Sequence, residues 1–159
     1  MRYVVISDIH ANYAALEAVA QVVHRLKQDG RPTQYRFLGD LVGYGPREDA
    51  LACIRWLHFD SRIGDQWIPG NHDEWIVRQH DPAFSDRAKV TLTAQRAFLQ
   101  RPENQYDWAW FQSQVTQALG YEQVEERSLF MENHTASGNG RVALSYVHAS
   151  AMPATRRTS

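Results

Sequence analysis

The strongest constraint on the fold is an alternation between residue 2 and residue 69: apolar run, helical stretch, apolar run, helical stretch, apolar run. Residues 2–7 are apolar and β-branched, a buried-strand signal. Asn12 can cap a following helix, in which Leu16, Val19, Val23 and Leu26 build one apolar face before Gly30 and Pro32 end it. Tyr35-Arg36-Phe37-Leu38 reads as a second strand. Gly43, Gly45 and Pro46 make a loop, with Pro46 suited to the first turn of a helix that continues through Leu51, Ile54, Leu57 and His58. Gln66-Trp67-Ile68-Pro69 reads as a short third strand. Strands separated by helices predict a parallel sheet covered by helices, the α/β class. In such sheets ligands gather at the carboxyl ends of the strands.

Downstream, residues 73–119 read as mostly helical and irregular, with Pro102-Glu103 as a helix start ahead of Trp108, Trp110 and Phe111. Residues Glu122 to Glu132 alternate in the manner of a strand, Gly138-Asn139-Gly140 is a turn, and Val142 to Val147 is a further strand that ends at His148. Pro153 to Ser159 form a polar tail. The 159 residues are read as one domain, 1–159, large enough to fold on its own hydrophobic core.

Composition excludes several classes. The net charge of −1, from 17 basic and 18 acidic residues, gives no dedicated nucleic-acid or anionic-membrane surface. No apolar run approaches the ~20 residues of a membrane helix. The single cysteine, Cys53, forbids an internal disulfide and suits a reducing, cytoplasmic location. Lying among Leu51, Ile54 and Leu57, it reads as a small core residue rather than a nucleophile.

Each apolar run is followed by residues that bind metals: Asp8-Ile9-His10, Gly39-Asp40 and Gly70-Asn71-His72-Asp73. Taken singly, each also reads as a turn or a cap. Together they converge on one rim. Asp8 and His10, two apart in an extended segment, point the same way and can grip one ion. Gly39 lets a metal approach the turn closely, and the two oxygens of Asp40 can bridge two ions. Two ions about 3.5–4 Å apart clamp in-line displacement at phosphorus. Asn71 and His148 offer an amide oxygen and an imidazole for the second ion. Oxygen and nitrogen donors without thiolate suit two divalent ions, Mn first and Fe, Ni or Zn next. His72 can then act over the substrate as acid or charge stabiliser, with Asp73 holding its imidazole in one tautomer.

Asp8-x-His10, Gly39-Asp40, Gly70-Asn71-His72-Asp73 and His148, in this order, resemble the calcineurin-like metallophosphoesterase family. The stretch Gly39-Asp40-Leu41-Val42-Gly43-Tyr44-Gly45-Pro46 and the segment Pro102-Glu103-Asn104 are similar to a branch of small bacterial phosphoesterases. The resemblance implies a four-layer αββα sandwich with a dinuclear site. It implies that Asp8, His10 and Asp40 bind one metal and that Asp40, Asn71 and His148 bind the other. By the same resemblance His72 is the acid or charge stabiliser, and a metal-bridging hydroxide attacks a phosphorylated small-molecule substrate, either a phosphomonoester or a phosphodiester.

The sequence departs from the family pattern in two places. Val42-Gly43-Tyr44-Gly45 lacks the arginine that protein-phosphatase members carry there, which favours the small-substrate branch. No Gly-His-x-His motif follows His148; Asn133-His134-Thr135 echoes it but precedes His148, and His134 reads as an exposed hairpin residue. The chain is therefore expected to be a shortened member with a sandwich incomplete at the C-terminus, and to self-associate through an open sheet edge. The alternative reading is a truncated homologue that binds metal weakly, catalyses little and serves as a binding module. His24, His58 and His80 read as ordinary surface or core residues. Trp75, Trp108, Trp110 and Phe111 read as core in preference to a substrate lid. Tyr44 and its flanking glycines read equally as pocket wall and plain loop.

Overall fold

The computed structural model describes residues 2–59, 67–79, 84–120, 130–135 and 141–146. Strand β1 (Arg2–Ile6) pairs in parallel with β2 (Thr33–Phe37), with Arg2 opposite Thr33 and Ile6 opposite Phe37. The third run enters as a single parallel bridge between Phe37 and Trp67, supported by the Ile68 N–H donating to the Phe37 carbonyl at 2.9 Å. Of the expected 66–69 strand, Gln66 lies outside the described residues, and beyond Ile68 the Gly70 N–H turns to the Asp73 carboxylate at 3.0 Å.

Helix α1 (Tyr13–Lys27) connects the strands. The Asn12 side chain accepts the Ala15 N–H at 3.0 Å, the expected cap, and His24, Arg25 and Lys27 lie in the last turn, where the helix dipole favours positive charge. Leu16 and Val23 are buried on its inner face. Arg2 ties the start of β1 to the end of this helix by donating to the Leu26 carbonyl at 2.7 Å. Helix α2 (Arg47–Phe59) begins just after Pro46, whose carbonyl accepts the Ala50 N–H at 3.0 Å. Its buried stripe is Ala50, Leu51, Cys53, Ile54 and Leu57.

Helix α3 (Asn71–Arg78) starts inside the third motif, and α4 (Asp86–Leu99) follows. The guanidinium of Arg96 on α4 donates to the Val77 carbonyl at 2.7 Å and so satisfies the end of α3. A 3₁₀ turn (Pro102–Asn104) leads into α5 (Gln105–Gly120), with the Asn104 amide donating to the Phe98 carbonyl at 2.9 Å. Helices α2 and α3 each pack on both α4 and α5. Trp75, Trp108 and Phe111 are buried and Trp110 packs against the same core, so these aromatics are structural, as expected. Val4 and Ile6 face that core, whereas Val5, pointing the other way, is half-exposed.

Strands β3 (Phe130–Thr135) and β4 (Arg141–Tyr146) form an antiparallel pair, with Phe130 opposite Tyr146 and His134 opposite Val142. The expected turn at 138–140, His80 and His148 lie outside the described residues. No helix among the described residues is long and apolar enough to cross a membrane.

Candidate metal centre

Three segments meet at the carboxyl ends of the parallel strands: the turn after β1, the loop after β2 and the N-terminus of α3. The first two run side by side. The N–H groups of Asp8, His10 and Ala11 donate to the carbonyls of Gly39, Asp40 and Leu41 at 3.0, 2.8 and 2.8 Å. This continuation of the strand ladder locks the two loops together. Within it the backbone is left-handed at Asp8 (φ 57°), His10 (φ 51°) and Asp40 (φ 54°). Non-glycine residues rarely adopt that region, and it persists where surrounding contacts over-determine it, most often at functional sites. Asp8 and His10 therefore converge through a turn rather than through the extended geometry that their spacing suggested.

Glycines make the approach possible. Gly39 is left-handed (φ 85°), and a Cβ there would collide with the Pro69–Gly70 backbone. A Cβ at Gly70 would collide with the Asp40 backbone and carboxylate. The bare turn at Gly39 thus admits another stretch of protein chain.

His10 Nδ1 lies 3.3 Å from the Val42 carbonyl. With its proton there, Nε2 turns its lone pair toward the carboxylates, 3.7 Å from Asp8 Oδ1 and 3.8 Å from Asp40 Oδ2. Asp40 is buried; its Oδ1 accepts the His72 backbone N–H at 2.9 Å while Oδ2 faces His10. Ligand atoms of His10, Asp40 and His72 all lie within 4.8 Å of one another. The His10–carboxylate separations exceed hydrogen-bond length and suit donors that share one ion. The donor set fits a hard or borderline divalent cation.

His72 was expected as an acid or charge stabiliser beside the metals; its ring also stands near enough to His10 and Asp40 to be a possible ligand. It is buried, edge-on to His10 with ring centroids 4.5 Å apart, and lies 4.9 Å from both the Tyr44 and the Phe84 rings. Tyr44 touches His10 as well, at 4.8 Å, and is 51% exposed, so it forms part of the site wall. Phe84 was not singled out in the sequence. Asn71 is half-buried at the first position of α3, beside this cluster.

Asp73 requires a correction. Its carboxylate accepts backbone N–H groups from Leu41 (3.0 Å), Val42 (3.1 Å) and Gly70 (3.0 Å), and so is committed to the main chain rather than to the His72 imidazole. The reason is helical geometry. Successive residues on a helix do not face each other, and an acid at the third position reaches back to the N–H of the cap. Asp73 thereby pins the β2 loop to the start of α3. Burial, reinforced by the Asp40 charge, pushes its carboxyl up to about 7, against the pull of the backbone donors. Burial, then Asp49 and Asp73, pushes the Cys53 thiol up to about 12, which leaves it inert, as its core position suggested.

Gln95 on α4 also went unnoticed in the sequence, although it is fully buried. Its Oε1 accepts the Gly43 N–H at 3.0 Å, and its Nε2 donates to the Gly45 carbonyl at 2.8 Å and to the Gly43 carbonyl. A signal existed: Ala88, Leu92, Gln95 and Leu99 form the buried stripe of α4, and one of them is polar.

A family model described as calcineurin-like phosphoesterase matches residues 1–145. The chain belongs to that family. Among solved structures, a hypothetical protein from Pyrococcus horikoshii is similar at 24% identity and a TM-score of 0.52, over 68% of this chain and 45% of that one. A metallophosphoesterase from Sphaerobacter thermophilus is 33% identical with a TM-score of 0.44, over 67% of this chain and 40% of that one. The first likeness supports the α/β fold. The chain spans less than half the length of either protein. Curated proteins yield no match.

Proposed function

We propose that this chain is a metal-dependent hydrolase of small phosphorylated substrates, phosphomonoesters or phosphodiesters, working with two divalent ions. The observation that carries the reading is the meeting of His10 with two carboxylates, at 3.7 Å from Asp8 and 3.8 Å from Asp40, beside a buried His72. Asp8, His10 and Asp40 would hold one ion; Asp40 with Asn71, and His148 from outside the described residues, would hold the other. When bound, such ions supply Lewis-acid polarisation of the phosphoryl group and an activated nucleophile at neutral pH.

The remaining work falls to the chain. The Asp40 Oδ1 bond to the His72 backbone fixes the start of α3 against the β2 loop. The His72 imidazole stands within reach of a substrate held at this rim, where it donates a proton to the departing oxygen. Tyr44 and Phe84 shield that ring, which strengthens its electrostatic action on the substrate. Manganese is the preferred ion in this reading, and the cytoplasm the preferred location.

Elemental analysis, coupled with hydrolysis of an aryl phosphate and its bis-ester with and without Mn²⁺, tests the proposal. Bound divalent metal and Mn²⁺-dependent turnover are expected. Asp40→Asn, which removes a charged ligand, should abolish both. Absence of hydrolysis at every metal concentration would sink the proposal.

A further inference from the structure

Gln95 is a fully buried amide in the apolar stripe of a helix that contributes none of the proposed ligands. Burying an amide is unfavourable unless its hydrogen bonds are satisfied. Gln95 satisfies them on the main chain of one loop, through the Gly43 N–H, the Gly43 carbonyl and the Gly45 carbonyl. These partners also fix which end of the amide is which, since the oxygen must meet the N–H and the nitrogen the carbonyls.

The clamped loop lies directly behind the site. Gly43 follows Val42, whose carbonyl is 3.3 Å from His10 Nδ1. A Cβ added at Gly43 would stand 2.7 Å from Nδ1 of both His10 and His72, so this backbone is packed against both imidazoles. The Gly45 N–H in turn donates to the His10 carbonyl at 2.9 Å. Gly43 is itself left-handed (φ 135°), which leaves the loop dependent on outside contacts to hold its shape.

We propose that Gln95 is a positioning residue for His10: by clamping Gly43 and Gly45 it holds the Val42 carbonyl on Nδ1, and so keeps the Nε2 lone pair aimed at Asp8 and Asp40. Partners that orient an imidazole ligand govern metal affinity by roughly 10–100-fold. Gln95 exerts that influence from one step further out, through backbone. The inference rests on the metal-site reading above, but its effect on His10 exists in the metal-free protein as well.

The test uses the full chain with Gln95→Leu, and Leu92→Ala as a control. Leu92 is fully buried one turn away on the same face of α4, so its truncation loosens the same helix without removing any hydrogen bond to the loop. Two quantities are read: the ¹⁵N shifts of the His10 ring, which report its tautomer, and the affinity for Mn²⁺ or Zn²⁺ by calorimetry. Gln95→Leu should mix the two His10 tautomers and weaken metal binding about 10-fold or more, whereas Leu92→Ala lowers stability and leaves both readouts at wild-type values. Should Gln95→Leu fail to fold, Gln95→Glu carries the test, because it keeps the shape and the acceptor for the Gly43 N–H but loses the donor to the two carbonyls. Unchanged His10 shifts and affinity in the Gln95 variant that folds, or equal changes in Leu92→Ala, would overturn the proposal. If the wild-type chain binds no metal, the functional reading fails, and the His10 shifts of the metal-free variants still decide the role of Gln95.

Discussion

Two glycines with left-handed backbone offer a controlled experiment on how tightly the site is built. Gly39 has φ 85° and Gly30 has φ 74°, but their surroundings differ. A Cβ at Gly30 meets nothing within 4 Å, whereas at Gly39 it overlaps the Pro69–Gly70 backbone. Replacing either by alanine incurs a left-handed penalty of about 1–2 kcal/mol, offset by about 0.4–1 kcal/mol because alanine restricts the unfolded chain. Gly30→Ala should therefore lose about 0–1.5 kcal/mol. Gly39→Ala carries an additional cost of about 1–3 kcal/mol, the usual range when packed backbone must shift to admit a methyl group. For a domain of this size the gap between the two variants corresponds to about 2–12 °C in Tm. Urea unfolding followed by circular dichroism and by the fluorescence of buried Trp67, Trp75 and Trp108 would measure it. Gly39→Ala should also weaken metal binding, because the shift it forces separates Asp40 from the start of α3, while Gly30→Ala leaves affinity unchanged. Variants equal within the ~0.5 kcal/mol typical of surface substitutions, with equal affinity, would refute the close approach as the organising contact.

Two further outcomes follow from the raised pKa values. Burial, then the Asp40 charge, holds the Asp73 carboxyl at about 7 in the folded chain, above the ~3.9 of an ordinary aspartate, so between these values the folded state binds more protons than the unfolded one. This contribution is full below pH ~4 and is lost as pH rises through about 7. The stability of metal-free protein should carry this falling component, and Asp73→Asn should remove it; a component that rises across the same window would contradict the assignment. Cys53, with its thiol pushed up to about 12, should resist a disulfide reagent at pH 8 in native protein and react fully in urea; rapid native labelling would contradict its burial.

Much of the scaffold was legible because it rests on side-chain periodicity. The apolar run at 2–7 became β1 (Arg2–Ile6), and the stripe Leu51, Ile54, Leu57 became the buried face of α2. The start of the third helix is instructive. Taken alone, Gly70-Asn71-His72-Asp73 also admits a turn, because Gly, Asn and Asp favour turns. In the structure Gly70 is the cap of α3 and Asp73 supplies the acid that returns to the cap N–H at 3.0 Å. The same residue types serve both conformations, and only the helix that follows distinguishes them. Likewise the spacing of Asp8 and His10 could not show that both lie at positive φ, since the ladder that forces this joins them to Gly39 and Asp40, some thirty residues away.

The candidate ligands were readable for a different reason from their supports. A metal donor is defined by side-chain chemistry, so Asp8, His10 and Asp40 announce themselves even when their backbone geometry is misjudged. The residues that hold them act on main-chain atoms, which every residue possesses, and so leave no matching partner in the sequence. Asp73 grips the N–H groups of Leu41, Val42 and Gly70, and Gln95 grips Gly43 and Gly45. What such residues do leave is a local contradiction. Gln95 is polar where the 88–92–95–99 stripe of α4 should be apolar, and Asp73 is an acid buried beside another acid. Burial of either group is unfavourable without compensating hydrogen bonds. A polar residue in a core position therefore predicts an unseen backbone partner, and in this chain both residues reach the one loop that carries Asp40 to the site, Asp73 through Leu41 and Val42 and Gln95 through Gly43 and Gly45.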